Sequence, residues 1–221
     1  MSNQNNQNSR NMKTVEKMIA EKLLAIKAVK LQPENPFTWA SGWKSPIYCD
    51  NRKTLAYPFV RNLIKIELAR LVRELYPEAT AIAGVATGAI AQGAMVAEEL
   101  SMPFAYVRPK PKDHGMGNQI EGELKAGEKV VVIEDLISTG MSSLKAVDAL
   151  RQAGCEVLGM VANFTYGFPL AEQQFKEAGV TLTTLSNYNA VLEAAVETNY
   201  IAASDVETLK EWRKDPANWG I

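Results

Sequence analysis

The segment from Val130 to Ser143 constrains the fold more than any other stretch of this 221-residue chain. It reads VVVIEDLISTGMSS, which is a short apolar run, two adjacent carboxylates, a loop of small residues and the start of a helical pattern. A run rich in β-branched residues is typical of a strand buried on both faces of a parallel sheet. The segment therefore predicts a strand, an acidic turn, a small loop and a helix in direct succession.

The loop in this segment has the composition of a phosphate site. The first N–H groups of a helix have no partner within the helix, and the helix dipole adds positive potential there. Gly140 lets the backbone approach an anion closely. Three side-chain hydroxyl groups add further donors: Ser138, Thr139 and Ser142. Because Glu134 and Asp135 would repel a phosphate in the same pocket, we expect them beside it, on the hydroxyl groups of a phosphorylated sugar or facing a metal.

The same stretch resembles the signature of the type I phosphoribosyltransferases, which bind 5-phosphoribosyl-1-diphosphate (PRPP). The resemblance implies that Glu134 and Asp135 hold the ribose 2- and 3-hydroxyl groups and that the loop cradles the 5-phosphate. It implies a set of PRPP-binding residues in this segment: Glu134, Asp135, Leu136, Ile137, Ser138, Thr139, Gly140, Met141 and Ser142. An ordinary strand-to-helix turn with solvated carboxylates is the alternative. The segment has neither the P-loop pattern nor the glycine pattern of a dinucleotide-binding fold.

Composition narrows the functional classes. The chain is 47% hydrophobic and 22% charged, as in ordinary globular proteins, and its net charge of −1 gives no case for nucleic-acid binding. Cys49 and Cys155 do not form a C-x-x-C pair or a disulfide framework, which fits a reduced, cytoplasmic setting. The sequence has no apolar run of membrane-spanning length and no apolar signal region at the N-terminus, so we expect no membrane partner.

We expect a single domain over residues 12–221, preceded by a tail. Residues 1–11 are rich in Asn and Gln with almost nothing to bury, and we expect them to be disordered. Strands alternate with helices, which predicts a doubly wound α/β fold with ligands at the carboxyl ends of the strands. The resemblance implies the type I phosphoribosyltransferase fold, a twisted, mostly parallel sheet flanked by helices. It also implies a small hood, built from about residues 12–57 and 186–221.

The stretch from Phe37 to Arg52 predicts a short hairpin that forms a lid. It reads FTWASGWKSPIYCDNR and mixes aromatic residues with Gly, Pro and basic side chains; a surface hairpin with aromatic packing is the alternative. It is similar to the F-x-x-x-S-G-x-x-S-P-x-Y segment of the orotate phosphoribosyltransferases, a branch of the same family. That similarity implies a set of orotate-binding residues: Tyr48, Lys44 and, from the phosphate loop, Ser138. Many members have Lys where this chain has Ala40, and whether Lys44 replaces it stays open.

The stretch from Arg108 to Gly122 predicts a long polar loop. Its basic side chains alternate along the chain, so an extended backbone places them on one side: Arg108, Lys110, Lys112 and His114. Long polar loops in compact domains are usually functional or disordered, and a solvated charged loop is the alternative. The stretch resembles the catalytic loop R-x-K-x-K-x-H-G of the same branch.

That resemblance has consequences for catalysis and assembly. It implies PRPP contacts from Arg108, Lys112 and His114, and catalytic roles for Lys112, His114 and Asp135. In this branch the loop reaches across a homodimer, so each subunit would complete the neighbouring site. Trp212 and Trp219, near the end of the chain, are expected to pack the hood or an interface.

A second predicted unit of strand, small loop and helix begins at Ala81. In the family its loop holds diphosphate and often contains a non-proline cis peptide bond, which here would be the Ala86–Thr87 bond. The alternative reason for small residues at this place is close packing of the helix on the sheet.

The implied reaction joins orotate to PRPP and releases orotidine 5-monophosphate and diphosphate, a step of pyrimidine (UMP) synthesis. Mg2+ would be held through PRPP and water, without a direct protein ligand. Two other functions stay open: transfer to another base, such as a purine, and a non-catalytic regulator that senses the sugar phosphate.

Overall fold

The N-terminal part of the chain forms a long helix and two small pairs of antiparallel strands. The computed structural model describes residues 2–39, 41–110 and 119–219, with side chains described from residue 12 onward. The elements are α1 (Ser2–Ala25), β1 (Val29–Leu31), β2 (Phe37–Thr38), β3 (Lys44–Ser45), β4 (Ile47–Cys49) and a 3-10 helix (Asn51–Ala56). Strand β1 pairs with β4, and β2 pairs with β3. The short hairpin predicted in this stretch is therefore confirmed.

Helix α1 begins at Ser2 and so includes residues of the segment for which the sequence predicts disorder. Residues 2–11 contain neither Pro nor Gly, and Gln is a good helix former whereas Asn is a weaker one. A helix that is anchored further along the chain therefore continues toward the N-terminus. The anchor is the apolar face of α1, where Ile19 and Leu23 are completely buried.

Six strands in the described part of the chain form one sheet in the order β10–β9–β8–β5–β6–β7. Their ranges are β5 (Ala81–Val85), β6 (Phe104–Val107), β7 (Ile120–Glu121), β8 (Lys129–Ile137), β9 (Glu156–Thr165) and β10 (Leu182–Asn187). All neighbouring pairs are parallel except β6 and β7, which are antiparallel. The mostly parallel sheet that the sequence predicts is thus present. Strand β7 lies within the stretch predicted to be loop.

Helices cover both faces of this sheet. They are α2 (Pro58–Leu75), α3 (Ile90–Leu100), α4 (Met141–Gln152), α5 (Pro169–Glu177), α6 (Tyr188–Glu197) and α7 (Val206–Lys214). Alternate residues of β8 enter different cores: Val131 and Ile133 join the core with α1, α2 and α3, whereas Val130 and Val132 join the core with α4 and α5. Because successive side chains of a strand point to opposite faces, a strand covered on both sides needs the continuous apolar run seen here.

The two segments predicted to form the hood, residues 12–57 and 186–221, contact each other. The Ser186 hydroxyl donates to the carbonyl oxygen of Glu16 at 2.8 Å, and the indole N–H of Trp212 donates to that of Lys44 at 3.1 Å. Among the residues that the structure describes, none of the helices combines the length and hydrophobicity needed to span a lipid bilayer.

Candidate active site

The loops after β5 and β8 lie next to each other at the carboxyl-terminal end of the sheet. These two strands are parallel neighbours, so their carboxyl ends lie side by side. A Cβ atom added to Gly88 would lie 2.6 Å from Oδ1 of Asp135, well inside van der Waals contact. A side chain at position 88 would therefore require the Asp135 carboxylate or the loop to shift.

Glu134 is held by hydrogen bonds to both of its carboxylate oxygens. The Ser143 hydroxyl, on α4, donates to Oε2 at 2.8 Å, and the backbone N–H of Asp135 donates to Oε1 at 2.9 Å. The Glu134 side chain is only 4% exposed. Strand alternation sends the Asp135 side chain to the opposite face, toward Gly88. The two adjacent carboxylates thus have different neighbours, because Glu134 contacts α4 and Asp135 contacts the loop at Gly88.

The acidic pair retains protons more readily than exposed carboxyl groups do. Burial raises the pKa of Glu134 well above its usual range, and the negative charge of Asp135 raises it further. Burial also raises the pKa of Asp135, although its hydrogen bond with Glu134 and the positive charge of Arg52 act in the opposite direction. Arg52 itself is engaged by Asp50, whose Oδ1 lies 2.7 Å from its Nε.

Asn51 connects the hood to the acidic pair, a contact that sequence reasoning missed. Its Nδ2 donates to the carbonyl oxygen of Asp135 at 2.6 Å, although 84 positions separate the two residues. Asn51 is 4% exposed, and within the described part of the chain its Oδ1 has no hydrogen-bond partner. An Asn that follows a short strand gives no periodicity or motif that would have revealed this role.

The loop at residues 138–140 leads directly into the N-terminus of α4. Gly140 has a φ of 84°, and a Cβ there would lie 2.7 Å from Cε2 of Phe175, so both conformation and packing require glycine. The N–H of Leu144 donates to Gly140 within the helix at 2.9 Å. The N–H groups before Leu144 are those that a helix leaves unpaired. With α4 twelve residues long, this end suits a phosphate as the sequence predicts.

A cavity of about 370 Å3 lies between the hood and the edge of the sheet. From the hood it is lined by Thr38, Trp39 and Tyr48, and from the sheet side by Leu136, Ser138 and Tyr166. Such a cavity with aromatic walls suits a planar ring. Ser138 belongs both to this wall and to the small loop, so the two predicted binding regions are continuous.

Of the three predicted orotate-binding residues, Tyr48 and Ser138 line this cavity and Lys44 does not. The Nζ of Lys44 donates to Oγ1 of Thr38, a lining residue, at 3.0 Å. Lys44 therefore lies next to the cavity, one hydrogen bond away from it. Ala40, where many family members have Lys, is outside the described residues.

Arg108 marks the base of the predicted basic loop, at the carboxyl end of β6. Its backbone N–H donates to Gln119 at 2.8 Å, and the Gln119 side chain donates back to the Arg108 carbonyl oxygen at 2.9 Å. The Arg108 guanidinium lies 3.8 Å from Oε1 of Glu121. Lys112 and His114 lie outside the described residues, between these two anchored ends.

The Ala86–Thr87 peptide bond, in the loop after β5, is cis, which confirms the hypothesis drawn from the family resemblance.

In the part of the chain that the structure describes, no three His, Cys, Asp or Glu residues are grouped to bind a metal ion. Both Glu134 oxygens already accept hydrogen bonds, so the acidic pair offers few free oxygens for a direct ligand cage. This donor set fits Mg2+ only where substrate oxygens and water complete the coordination.

Comparison with known proteins agrees with the geometry. Residues 61–193 match the model of the phosphoribosyl transferase domain. The chain is 69% identical to orotate phosphoribosyltransferase of Phocaeicola vulgatus over 208 residues, covering 94% of this chain and 98% of that protein. It is 66% identical to the protein of the same name from Porphyromonas gingivalis, covering 95% and 100% of the two chains.

Solved structures give the same family. Orotate phosphoribosyltransferase from Aeropyrum pernix superposes with a TM-score of 0.73 at 30% identity, covering 83% of this chain and 99% of that one. UMP synthase of Leishmania donovani superposes with a TM-score of 0.75 at 27% identity, covering 90% of this chain and 42% of that one. The chain therefore belongs to the type I phosphoribosyltransferase family, and within it to the orotate phosphoribosyltransferases.

Proposed function

We propose that this chain transfers the phosphoribosyl group of PRPP to orotate, forming orotidine 5-monophosphate and diphosphate in pyrimidine (UMP) biosynthesis. The observation that carries the proposal is the continuity of the site through Ser138. This residue lines the aromatic cavity and also begins the small loop in front of α4. A base in the cavity and a phosphate on the loop would then belong to one nucleotide, with the acidic pair between them.

PRPP would lie along the edge of the sheet. The 5-phosphate would sit on the loop from Ser138 to Ser142, where a helix N-terminus provides N–H groups. The ribose hydroxyl groups would donate to Asp135 and Glu134. The Glu134 carboxylate is fixed by α4, and the backbone of Asp135 is held by the contact with Asn51, so part of the site is oriented before the sugar binds. Such orientation lowers the entropic cost of reaching a reactive geometry.

Orotate would occupy the cavity beneath the hood. Tyr48 and Trp39 offer aromatic surfaces to the flat ring, and Ser138 offers a hydroxyl group. Lys44, which donates to the lining residue Thr38, would place a positive charge beside the cavity, where it would complement the carboxylate of the substrate. The base would then face the anomeric carbon of a sugar held by the acidic pair.

Departure of diphosphate leaves positive charge on the anomeric carbon, as in glycoside cleavage. Positive groups on the protein must therefore stabilise the negative charge that develops on the leaving group. The positive charge would come from Arg108, Lys112 and His114. Gln119 holds the backbone of Arg108 at the base of the loop. Mg2+, when bound through PRPP oxygens and water, would neutralise part of the same charge. Closing the loop would exclude water from the reacting carbon.

The same loop gives a reason for a dimer. In the enzymes that this loop resembles, the residues corresponding to Lys112 and His114 act on the site of the neighbouring subunit, and we extend that arrangement to this chain.

We also place the protein in the cytoplasm. Its two cysteines, Cys49 and Cys155, both lie in the described part of the chain and are buried and unpaired, which fits a reducing compartment.

The test is a spectrophotometric assay of orotate consumption with purified protein. Consumption should require both PRPP and Mg2+, and diphosphate should appear in equal amount. A panel of adenine, guanine, hypoxanthine, uracil and orotate separates the proposal from transfer to another base. Turnover of a purine without orotate turnover would refute it. PRPP binding without turnover of any base, together with retention of RNA or DNA on a filter, would instead identify a regulator.

A further inference from the structure

Trp212, on helix α7, is completely buried. Helix α7 has only two buried residues, Leu209 and Trp212, and the Trp212 side chain has no exposed surface. Its indole N–H donates to the carbonyl oxygen of Lys44, 168 positions earlier, at 3.1 Å. A buried indole N–H normally has such a partner. The end of the chain is therefore tied to the hairpin that forms one wall of the cavity.

The Trp212 ring contacts two residues that line this cavity. It meets the ring of Trp39 edge-on at a centroid distance of 5.6 Å, and that of Tyr166 edge-on at 5.9 Å. Trp39 and Tyr166 also contact each other at 5.1 Å. Trp39 comes from the hood and Tyr166 from the end of β9, so Trp212 packs behind both walls of the cavity at once. Edge-to-face contacts of this kind have a preferred geometry and so hold rings in place.

We propose that Trp212 is a positioning residue for the nucleobase. It does not line the cavity itself, and it acts by fixing Trp39, Tyr166 and the backbone at Lys44. This inference rests on the proposed function, because it takes the cavity to be the orotate site. A loosened Trp39 or Tyr166 would weaken binding of the base, whereas the loop from Ser138 to Ser142 and the acidic pair would keep their own contacts. The effect is therefore specific to one of the two substrates.

The experiment compares Trp212→Phe and Trp212→Tyr with the wild-type enzyme. Both variants keep an aromatic ring in the cluster and lose the indole N–H, so either one that folds is sufficient. We expect the KM for orotate to rise about fivefold, in line with loss of one hydrogen bond to a buried acceptor. The KM for PRPP should stay within twofold and kcat should change little.

Tyr188→Phe is the matched control. The Tyr188 hydroxyl donates to the carbonyl oxygen of Leu209 at 2.8 Å, so it also attaches α7 to the domain, and Tyr188 is not a lining residue of the cavity. The Tyr188→Phe variant tests whether weakening the attachment of α7 at another point also raises the KM for orotate. We expect a lower melting temperature and an unchanged KM for orotate.

Each possible result of this comparison either supports or overturns the inference about Trp212. A selective rise in the orotate KM for a Trp212 variant, absent in Tyr188→Phe, supports the inference. An unchanged orotate KM, an equal rise for both substrates, or the same rise in Tyr188→Phe overturns it while leaving the proposed function intact. A wild-type protein that does not consume orotate overturns the proposed function, and the inference with it.

Discussion

The Ser143 hydroxyl lies 2.8 Å from Oε2 of Glu134 and donates a hydrogen bond to it, so helix α4 holds the more buried carboxylate of the acidic pair. The donor comes from the same helix whose N-terminus faces the predicted phosphate site. The predicted ribose site and the predicted phosphate site are thereby linked through one helix.

Ser143→Ala should weaken PRPP binding and lower stability together. The substitution leaves a buried carboxylate oxygen without its donor, which costs about 1–3 kcal/mol. We expect the KM for PRPP to rise roughly tenfold, by the conversion of 1.4 kcal/mol to a factor of ten, with a smaller change for orotate. Ser186→Ala is the control, because Ser186 is equally buried and its hydroxyl binds a backbone carbonyl away from the site. Loss of stability in both variants with unchanged PRPP kinetics in Ser143→Ala would contradict the role.

Asn51→Ala should affect the site more than the fold. It removes the donor to the Asp135 carbonyl oxygen and leaves the strand end less constrained. We expect kcat/KM for PRPP to fall about tenfold, the effect of losing about 1.4 kcal/mol of transition-state stabilisation. The control is Thr54→Val, which removes the 2.6 Å bond from the Thr54 hydroxyl to the Asn51 carbonyl oxygen within the same 3-10 helix. Similar kinetics in the two variants would mean that Asn51 acts only by supporting that helix.

Gly88→Ala should disrupt the junction of the two loops. The added methyl group would overlap the carboxylate of Asp135, so either the carboxylate or the loop must move. A displacement of about 1 Å in a reacting group can cost on the order of 100-fold in rate, and we expect kcat/KM to fall by about that factor. Gly127→Ala is the control, since Gly127 has a φ of 86° and open space around it. It should lose stability without losing activity, and full activity in Gly88→Ala would show that Asp135 is free to move.

The raised pKa of Glu134 predicts how stability depends on pH. Below the ordinary carboxyl pKa of 4.5, Glu134 is protonated in both folded and unfolded chains and its titration contributes nothing. Above 4.5, the unfolded chain releases the proton while the folded chain retains it, so stability falls until the folded pKa is passed. We therefore expect the melting temperature of the wild type, relative to Glu134→Gln, to decrease as pH rises from 4.5.

A control for this titration has the opposite sign. The Nζ of Lys65 lies 2.8 Å from Oε2 of Glu99 and lowers the pKa of that carboxyl. The wild type should therefore gain stability relative to Glu99→Gln as pH rises through 4.5. A difference between wild type and Glu134→Gln that stays constant from pH 4 to about 8 would show that Glu134 is not perturbed.

Lys112→Ala should abolish most turnover and leave the fold intact. Removing one charge that stabilises a developing anion costs roughly 100- to 1000-fold in kcat. Lys112 lies between Arg108 and Gln119, whose mutual hydrogen bonds place the base of the loop at the edge of the site. Lys125→Ala is the control, because Lys125 precedes β8 and so lies at the opposite edge of the sheet. Near-normal turnover by Lys112→Ala would refute the catalytic role.

Some of these features were readable from local sequence. The apolar run before Glu134 predicts a strand buried on both faces, and Ser138 to Ser142 predicts the turn into a helix, because both depend on residues adjacent in the chain. The parallel sheet and the position of the loops follow from the alternation of strands and helices. The resemblance to a known family added the substrates, the cis Ala86–Thr87 bond and the roles of Lys112 and His114.

Other features depend on contacts between distant parts of the chain. Asn51 meets Asp135 across 84 positions, and Trp212 meets Lys44 across 168. No periodicity links such residues, since the first pairing results from how the hood docks on the sheet and the second from how the two segments of the hood pack together. The sequence by itself determined the elements and the chemistry at their ends; only tertiary packing decided which side chains hold that chemistry in place, because burial and hydrogen bonding act between neighbours in space.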